Sequence, residues 1–220
     1  MPAVLAIAAH PDDIEFVMAG TLLLLGEAGW ELHYLNLSTG NLGSTTMSPA
    51  RTARVRRTEA QAAARVLGAT WHPPFCNDLE IFYDARSLRR LAAIVRKVAP
   101  TVILTHSPQD YMEDHMNTCR LAISSAFVRA MPGYQTSPKR AAVQAPVTIY
   151  HANPHGLRDG LRRRIHPGAF ADTTAVHARK EEALRCHRSQ HGFLDATQGM
   201  SSYLRTMDEL SREVGTLSGR

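Results

Sequence analysis

Two short runs with almost no polar face constrain this chain more than any other feature. They are "AVLAIAA" at residues 3–9 and "TVILTH" at 101–106. A strand with one wet face alternates apolar and polar side chains. A strand without that alternation is buried on both sides, as inside a parallel sheet covered by helices. The rest of the chain supplies what such a sheet requires. Residues 14–29, 51–67, 86–99 and 115–130 read as helices, closed by Gly29, Gly68 or the approach of Pro100. Residues 31–38 and a short stretch around 69–73 read as further strands. "VTIYHA" (147–152) is another strand candidate, and "AFADTT" (169–174) a short one. Strand–helix alternation of this kind predicts βαβ units with right-handed crossovers and helices on both faces.

Beyond residue 130 the pattern loosens. Residues 131–146 read as an irregular connection, and "NPHGLRDGLRRRIHPG" (153–168) as a loop or extended arm. Two helices follow, at 175–190 and roughly 196–214. The organisation expected is one domain over 1–220, with a core at 1–130 and an arm plus C-terminal helices at 131–220.

In a parallel sheet, ligands bind beyond the carboxyl ends of the strands. Two polar clusters fall there: His10, Asp12 and Asp13 after the first strand, and "HSPQDYMEDHMNT" (106–118) after the 101–106 strand. Asp12 or Asp13 alone would suit a helix N-cap as well as a metal. Two His/carboxylate clusters on one rim shift the balance to a metal site. Three ligands mixing imidazole and carboxylate, with one open position, describe a catalytic zinc centre.

The stretch "AHPDDIEFVMAGTL" resembles the AHPDD signature of the LmbE-like, or PIG-L-type, zinc-dependent N-deacetylases. Arg56-x-x-Glu59 with "AARVLGA", Asp78, "PTVILTHSPQDYMEDHMNT" and "KEEALRCHRSQ" resemble that family's further blocks, in order, over residues 3 to 190. The resemblance implies a three-layer, Rossmann-like α/β sandwich with a mostly parallel sheet. It also implies hydrolysis of an acyl group, usually acetyl, from an N-acyl amino sugar or its conjugate. His10, Asp13 and His115 match the Zn2+ ligands and Asp12 the general base. Asp114 would orient an imidazole; Asp110 would do the same or contact substrate. Arg56 would reach toward the sugar or acyl group, with His187 near the rim. Family members resemble trimers or dimers of trimers, which makes the 151–168 arm a candidate contact between copies.

One position departs from the pattern. Where the family often reads H-x-D-H, this chain has Met112-Glu113-Asp114-His115. The first histidine helps stabilise the oxyanion or protonate the leaving amine, and a thioether donates neither hydrogen bond nor proton. Tyr111, His151 and His187 are candidates to take its place. Otherwise the chain is a weaker or different catalyst: an amidase of thiol-sugar or other amine conjugates, or a metal-binding, sugar-binding protein. Gly40-Asn41 likewise stands where the family has Gly-Glu.

Other readings are weaker. The formal net charge is +5, but Arg162-Arg163-Arg164 lacks interleaved aromatics. Solvated surface or a rim that draws in an anionic small molecule fits better than nucleic acid. His187 and His191 sit four apart, yet no Glu follows the first, so the zincin base is missing. "STGNLGS" is not a dinucleotide fingerprint, and no G-x-S-x-G elbow occurs. No apolar stretch approaches the roughly 20 residues of a membrane span. No basic segment precedes the first run, so no signal peptide is expected. Three scattered cysteines without a CxxC fit a reducing cytoplasm.

Overall fold

A computed structural model describes residues 1–198 and 203–219. Five parallel strands form one sheet in the order β3-β2-β1-β4-β5. They are β1 (Ala3–Ala8), β2 (Glu31–Asn36), β3 (Thr70–His72), β4 (Val102–Thr105) and β5 (Thr148–His151). The eight α-helices of the described residues are α1 (Asp13–Val17), α2 (Ala19–Glu27), α3 (Pro49–Leu67), α4 (Ala85–Val98), α5 (Glu113–Val128), α6 (His177–Arg185), α7 (Arg188–Gln198) and α8 (Tyr203–Leu217). This is the three-layer, Rossmann-like arrangement.

The apolar run at 3–8 is the central strand, buried at all six positions. Its side chains alternate between two cores. Val4, Ala6 and Ala8 pack with the α2, α3 and α6 layer, through Leu22, Ala63, Leu67 and Ala183. Leu5, Ile7 and Ala9 pack with the α4 and α5 layer, through Leu91, Val95, Leu121 and Ala122. Small residues on β1 let both helical layers approach, and burying those layers is the main favourable term in the fold. Local chemistry sets the ends: Pro49 opens α3, Gly68 closes it at φ 72°, and the Asp84 carboxylate accepts the Ser87 N–H at 2.7 Å to cap α4.

Several expected boundaries differ. The helix read over 14–29 is α1 and α2, kinked at Met18, whose φ of −126° is not helical. The Met18 N–H still donates to Ile14 O and the Leu22 N–H to Met18 O, so hydrogen bonding crosses the kink. The segment 175–190 splits because the Cys186 and His187 N–H groups bond three residues back, to Ala183 and Leu184, tightening the chain out of α-geometry. The strand expected at 169–174 is absent. Thr173 packs against Gly20 of α2 on the helical layer, away from a strand edge. Of the helix read over 196–214, residues 196–198 end α7, 199–202 lie outside the described residues, and the remainder belongs to α8. Among the described residues, no helix is long and apolar enough to cross a membrane.

The strand order reverses between β1 and β4. Chain direction therefore brings residues 9–13, 105–115 and 151–155 to one end of the sheet, at the crevice where α/β folds bind ligands.

Candidate metal centre and its cavity

Asp12 turns the chain abruptly after β1. It sits at φ 104°, a conformation L-residues avoid, and its side chain makes no capping bond to α1. Asp13 does not cap either. Its Oδ2 turns back to accept the His10 N–H at 2.7 Å. The capping alternative therefore has no hydrogen bond behind it, and both carboxylates are left for chemistry.

His10, Asp13 and His115 bring one ligand atom each within 4.8 Å of one another. The remaining nitrogen of each imidazole is occupied. His10 Nε2 meets Asp114 Oδ2 at 2.9 Å, and His115 Nδ1 meets Asp110 Oδ1 at 3.1 Å. That leaves His10 Nδ1 and His115 Nε2 facing Asp13, each 3.5 Å from a carboxylate oxygen. Two histidines whose outer nitrogens are fixed by carboxylates, with inner nitrogens converging on a third carboxylate, is the arrangement that presents neutral imidazoles to a divalent cation. A second group, His106, Asp110 and His115, is also close. It is the poorer set, because His106 Nε2 already accepts the Ala9 N–H at 2.9 Å and Asp110 is spent on His115. His106 instead stacks on His115, ring centroids 4.0 Å apart at 7°.

The electrostatics agree with this assignment. Burial alone would raise Asp13, but His115, His10 and His106 hold it well below the usual carboxylate range. Burial opposes charge on His10, yet Asp114 and Asp13 outweigh it and raise the imidazole to about 9. His115 is raised to about 10, burial being outweighed by Asp13 and Asp110. Two converging imidazoles that hold protons this tightly, beside an ionised carboxylate, are poised to exchange them for a cation.

Asp12 is set apart. Burial raises its carboxyl above the ordinary range, against the pull of Arg56. Both polar contacts fall on Oδ2: the Tyr203 hydroxyl donates to it at 2.7 Å, and Arg56 Nη2 lies 3.2 Å away. Among the described residues Oδ1 takes no hydrogen bond, and Asp12 lines the cavity. Arg56 is 4% exposed and also donates to the carbonyls of Pro11 and Gly40. It borders the cavity but spends its guanidinium on supporting Asp12 and the loop after β2. Gly40 permits this: it adopts φ 71°, and an added Cβ would lie 2.6 Å from Arg56 Cδ. Gly40→Ala is expected to cost about 1–2 kcal/mol in chemical denaturation, from left-handed strain alone, and to lower turnover by displacing Arg56.

The cavity above these groups holds about 240 Å³. His10, Asp12, Asp13, Arg56, Asp110 and His115 line it. Apolar side chains, among them Phe16, Leu42, Leu79, Tyr111, Met112 and Phe193, form much of its wall. Asp114 lies behind His10, where it also accepts the Leu79 N–H at 2.8 Å. His187 departs from its expected place near substrate. It is fully buried, with Nε2 3.4 Å from Glu15 Oε1 beneath Asp12, because the break before α7 turns it inward. Sequence reasoning missed His155, which lines the cavity, and Tyr203, which holds Asp12. Neither carries a local signal: one lies in a Pro/Gly turn and the other reads as the apolar face of a helix.

The family profile described as GlcNAc-PI de-N-acetylase, PIG-L, matches residues 5–126. A 4-oxalmesaconate hydratase of Pseudomonas putida is 30% identical over 98% of this chain and 84% of its own length. A diacetylchitobiose deacetylase of Thermococcus kodakarensis is 28% identical over 98% of this chain and 79% of its own. Among solved structures, a 4-carboxy-2-hydroxymuconate hydratase from Pseudomonas putida superposes with a TM-score of 0.77 at 28% identity, covering 100% of this chain and 92% of that one.

Proposed function

Because the chain belongs to the PIG-L family, we propose that it is a metal-dependent hydrolase that removes an acyl group, in the first instance acetyl, from an N-acyl amino sugar or its conjugate. The observation that carries this reading is a buried carboxylate with a raised pKa, Asp12, beside a His–Asp–His set whose imidazoles are each fixed from behind. Zn2+ held by His10, Asp13 and His115 would supply a Lewis acid and make a water nucleophile available near neutral pH. Asp12 Oδ1 accepts the proton that water loses as the new C–O bond forms. When the C–N bond breaks, the same carboxyl returns the proton to the departing amine. Arg56 and Tyr203 keep Oδ2 fixed, so that Oδ1 alone exchanges protons. Asp110 and Asp114 hold the imidazoles in the ligating tautomer.

The apolar wall suits an acyl chain and excludes bulk water from the amide. Three unpaired cysteines support a reducing, cytoplasmic location. Leu161, 71% exposed at the arm, supports self-association through residues 151–168, which sedimentation would detect.

The test is a panel of N-acetylated sugars and sugar conjugates, assayed before and after chelation and after Zn2+ reloading. Activity lost with the metal and regained with it is expected; full activity in metal-free protein overturns the reading. Reloading near pH 8 should also release about two protons, one each from His10 and His115, seen by calorimetry in buffers of different ionisation enthalpy.

A second reading is favoured by the relative named a hydratase. The same base and cation would serve addition of water to the double bond of a small unsaturated carboxylic acid. Loss of substrate ultraviolet absorbance on mixing with such acids, with no amide turned over, would select it.

A further inference from the structure

Met112, in the cavity wall, cannot donate a hydrogen bond to a substrate carbonyl, and the structure offers a residue that can. We propose that His155 donates the hydrogen bond to the substrate carbonyl oxygen that Met112 cannot, and is therefore a catalytic residue of this site. The proposal rests on the hydrolytic reading above.

Three observations support it. First, His155 lines the same cavity as Asp12, Asp13 and His115, although it comes from the arm after β5. Its ring stands edge-on to Phe16, with centroids 5.9 Å apart, and lies 6.4 Å from Tyr111. Among the described residues, its ring nitrogens have no hydrogen-bond partner, so an N–H remains for a ligand.

Second, the backbone holds it there. Gly156 at φ 74° and Leu157 at φ 54° are consecutive left-handed residues. Leu157, a strained non-glycine, is kept by 1% exposure of its side chain and by its carbonyl accepting the Ile165 N–H at 2.9 Å. Strain of this kind persists where surrounding structure over-determines it, and it clusters at functional sites.

Third, the two histidines that the sequence offered in place of Met112 are excluded. His151 Nδ1 lies 2.8 Å from the His106 carbonyl, and the ring does not reach the cavity. His187 is sealed against Glu15. Burial and the nearby His115 hold His155 below its ordinary pKa. A neutral imidazole still offers one N–H, and at a carbonyl oxygen that is the form required. Two competitors remain: Tyr111, which lines the cavity edge-on to His115 at 5.6 Å, and Asn153, which lines it with a buried Nδ2 that has no hydrogen-bond partner among the described residues.

The experiment compares Zn2+-loaded His155→Ala, His155→Gln and Tyr111→Phe with wild type, with metal content and melting temperature measured alongside. His155→Ala is expected to lower kcat by about 100- to 1000-fold, with KM, metal content and melting temperature little changed. His155→Gln, which keeps an N–H donor, should recover part of the loss, and so should Met112→His in the alanine background. Wild-type kcat in His155→Ala, or a loss confined to Tyr111→Phe, overturns the proposal and leaves the deacylase reading standing. If wild type cleaves no N-acyl amine, the deacylase reading fails instead. The donor is then tested without turnover, by titrating acetohydroxamate into both proteins. Weaker binding to His155→Ala sustains the donor, and equal binding overturns it.

Discussion

Replacing Asp12 with Asn is expected to lower kcat by about 10²- to 10⁴-fold, the span usual for a positioned general base, while metal content stays at the wild-type level. Asparagine is the informative change because it removes the base and little else. Its amide oxygen still accepts from the Tyr203 hydroxyl, which donates to Asp12 Oδ2 at 2.7 Å. Alanine would instead leave the buried Tyr203 hydroxyl unpaired and take away the carboxylate that faces the Arg56 guanidinium. It would mix a stability loss with the catalytic one. Asp12 makes no bond to His10 or His115, so the cation should be retained. Steady-state kinetics with metal analysis decides the matter. Near-wild-type turnover would remove Asp12 from the mechanism and move the base to another carboxylate.

The second large effect concerns stability and lies far from the cavity. Arg96, on α4 and 6% exposed, faces no carboxylate. Its five N–H groups go to carbonyls instead. Nε reaches Arg129 at 3.1 Å, Nη1 reaches Tyr134 at 3.1 Å and Arg140 at 2.8 Å, and Nη2 reaches Val128 at 3.0 Å and Met131 at 2.6 Å. One cation thus closes the C-terminal end of α5, where carbonyls and the helix dipole concentrate negative potential. It also folds the 129–140 connection. Arg96→Met keeps the stem and removes the fork, so it is expected to cost about 3–5 kcal/mol, lowering the melting temperature by about 10 °C. Arg96→Lys should recover only part, since an ammonium cannot reach five acceptors. A thermal scan showing less than about 1 kcal/mol of loss would mean that water replaces the guanidinium at these carbonyls. His115 lies at the other end of α5, so metal affinity should stay near wild type.

The order of elements, the two-sided burial of β1 and the placement of both polar clusters at strand ends are legible in the chain. Each depends on neighbours in sequence: Ala3 to Ala8 cannot face water on one side, and His10 must follow β1 wherever β1 goes. His10, Asp12 and Asp13 are legible for the same reason, because they follow directly on β1, whereas the choice of His115 from the 106–118 cluster is what the family resemblance implies. The break before α7 is not. The helical spacing of 175–190 is intact, and the turn at His187 is settled by its burial against Glu15. Nor are Tyr203 and His155 legible, 191 and 143 residues from Asp12 in the chain. Periodicity marks the first as a core residue and the second as part of a turn.

The sequence by itself determined a parallel α/β sheet and two His/carboxylate clusters at its carboxyl edge. Short-range patterning and the fixed direction of parallel strands leave little freedom there. Only the tertiary structure decided which oxygen of Asp12 is free, that His187 lies sealed beneath the base, and that the arm turns His155 toward the cavity. Those outcomes depend on contacts between segments far apart in the chain, where packing and burial, not local preference, set the geometry.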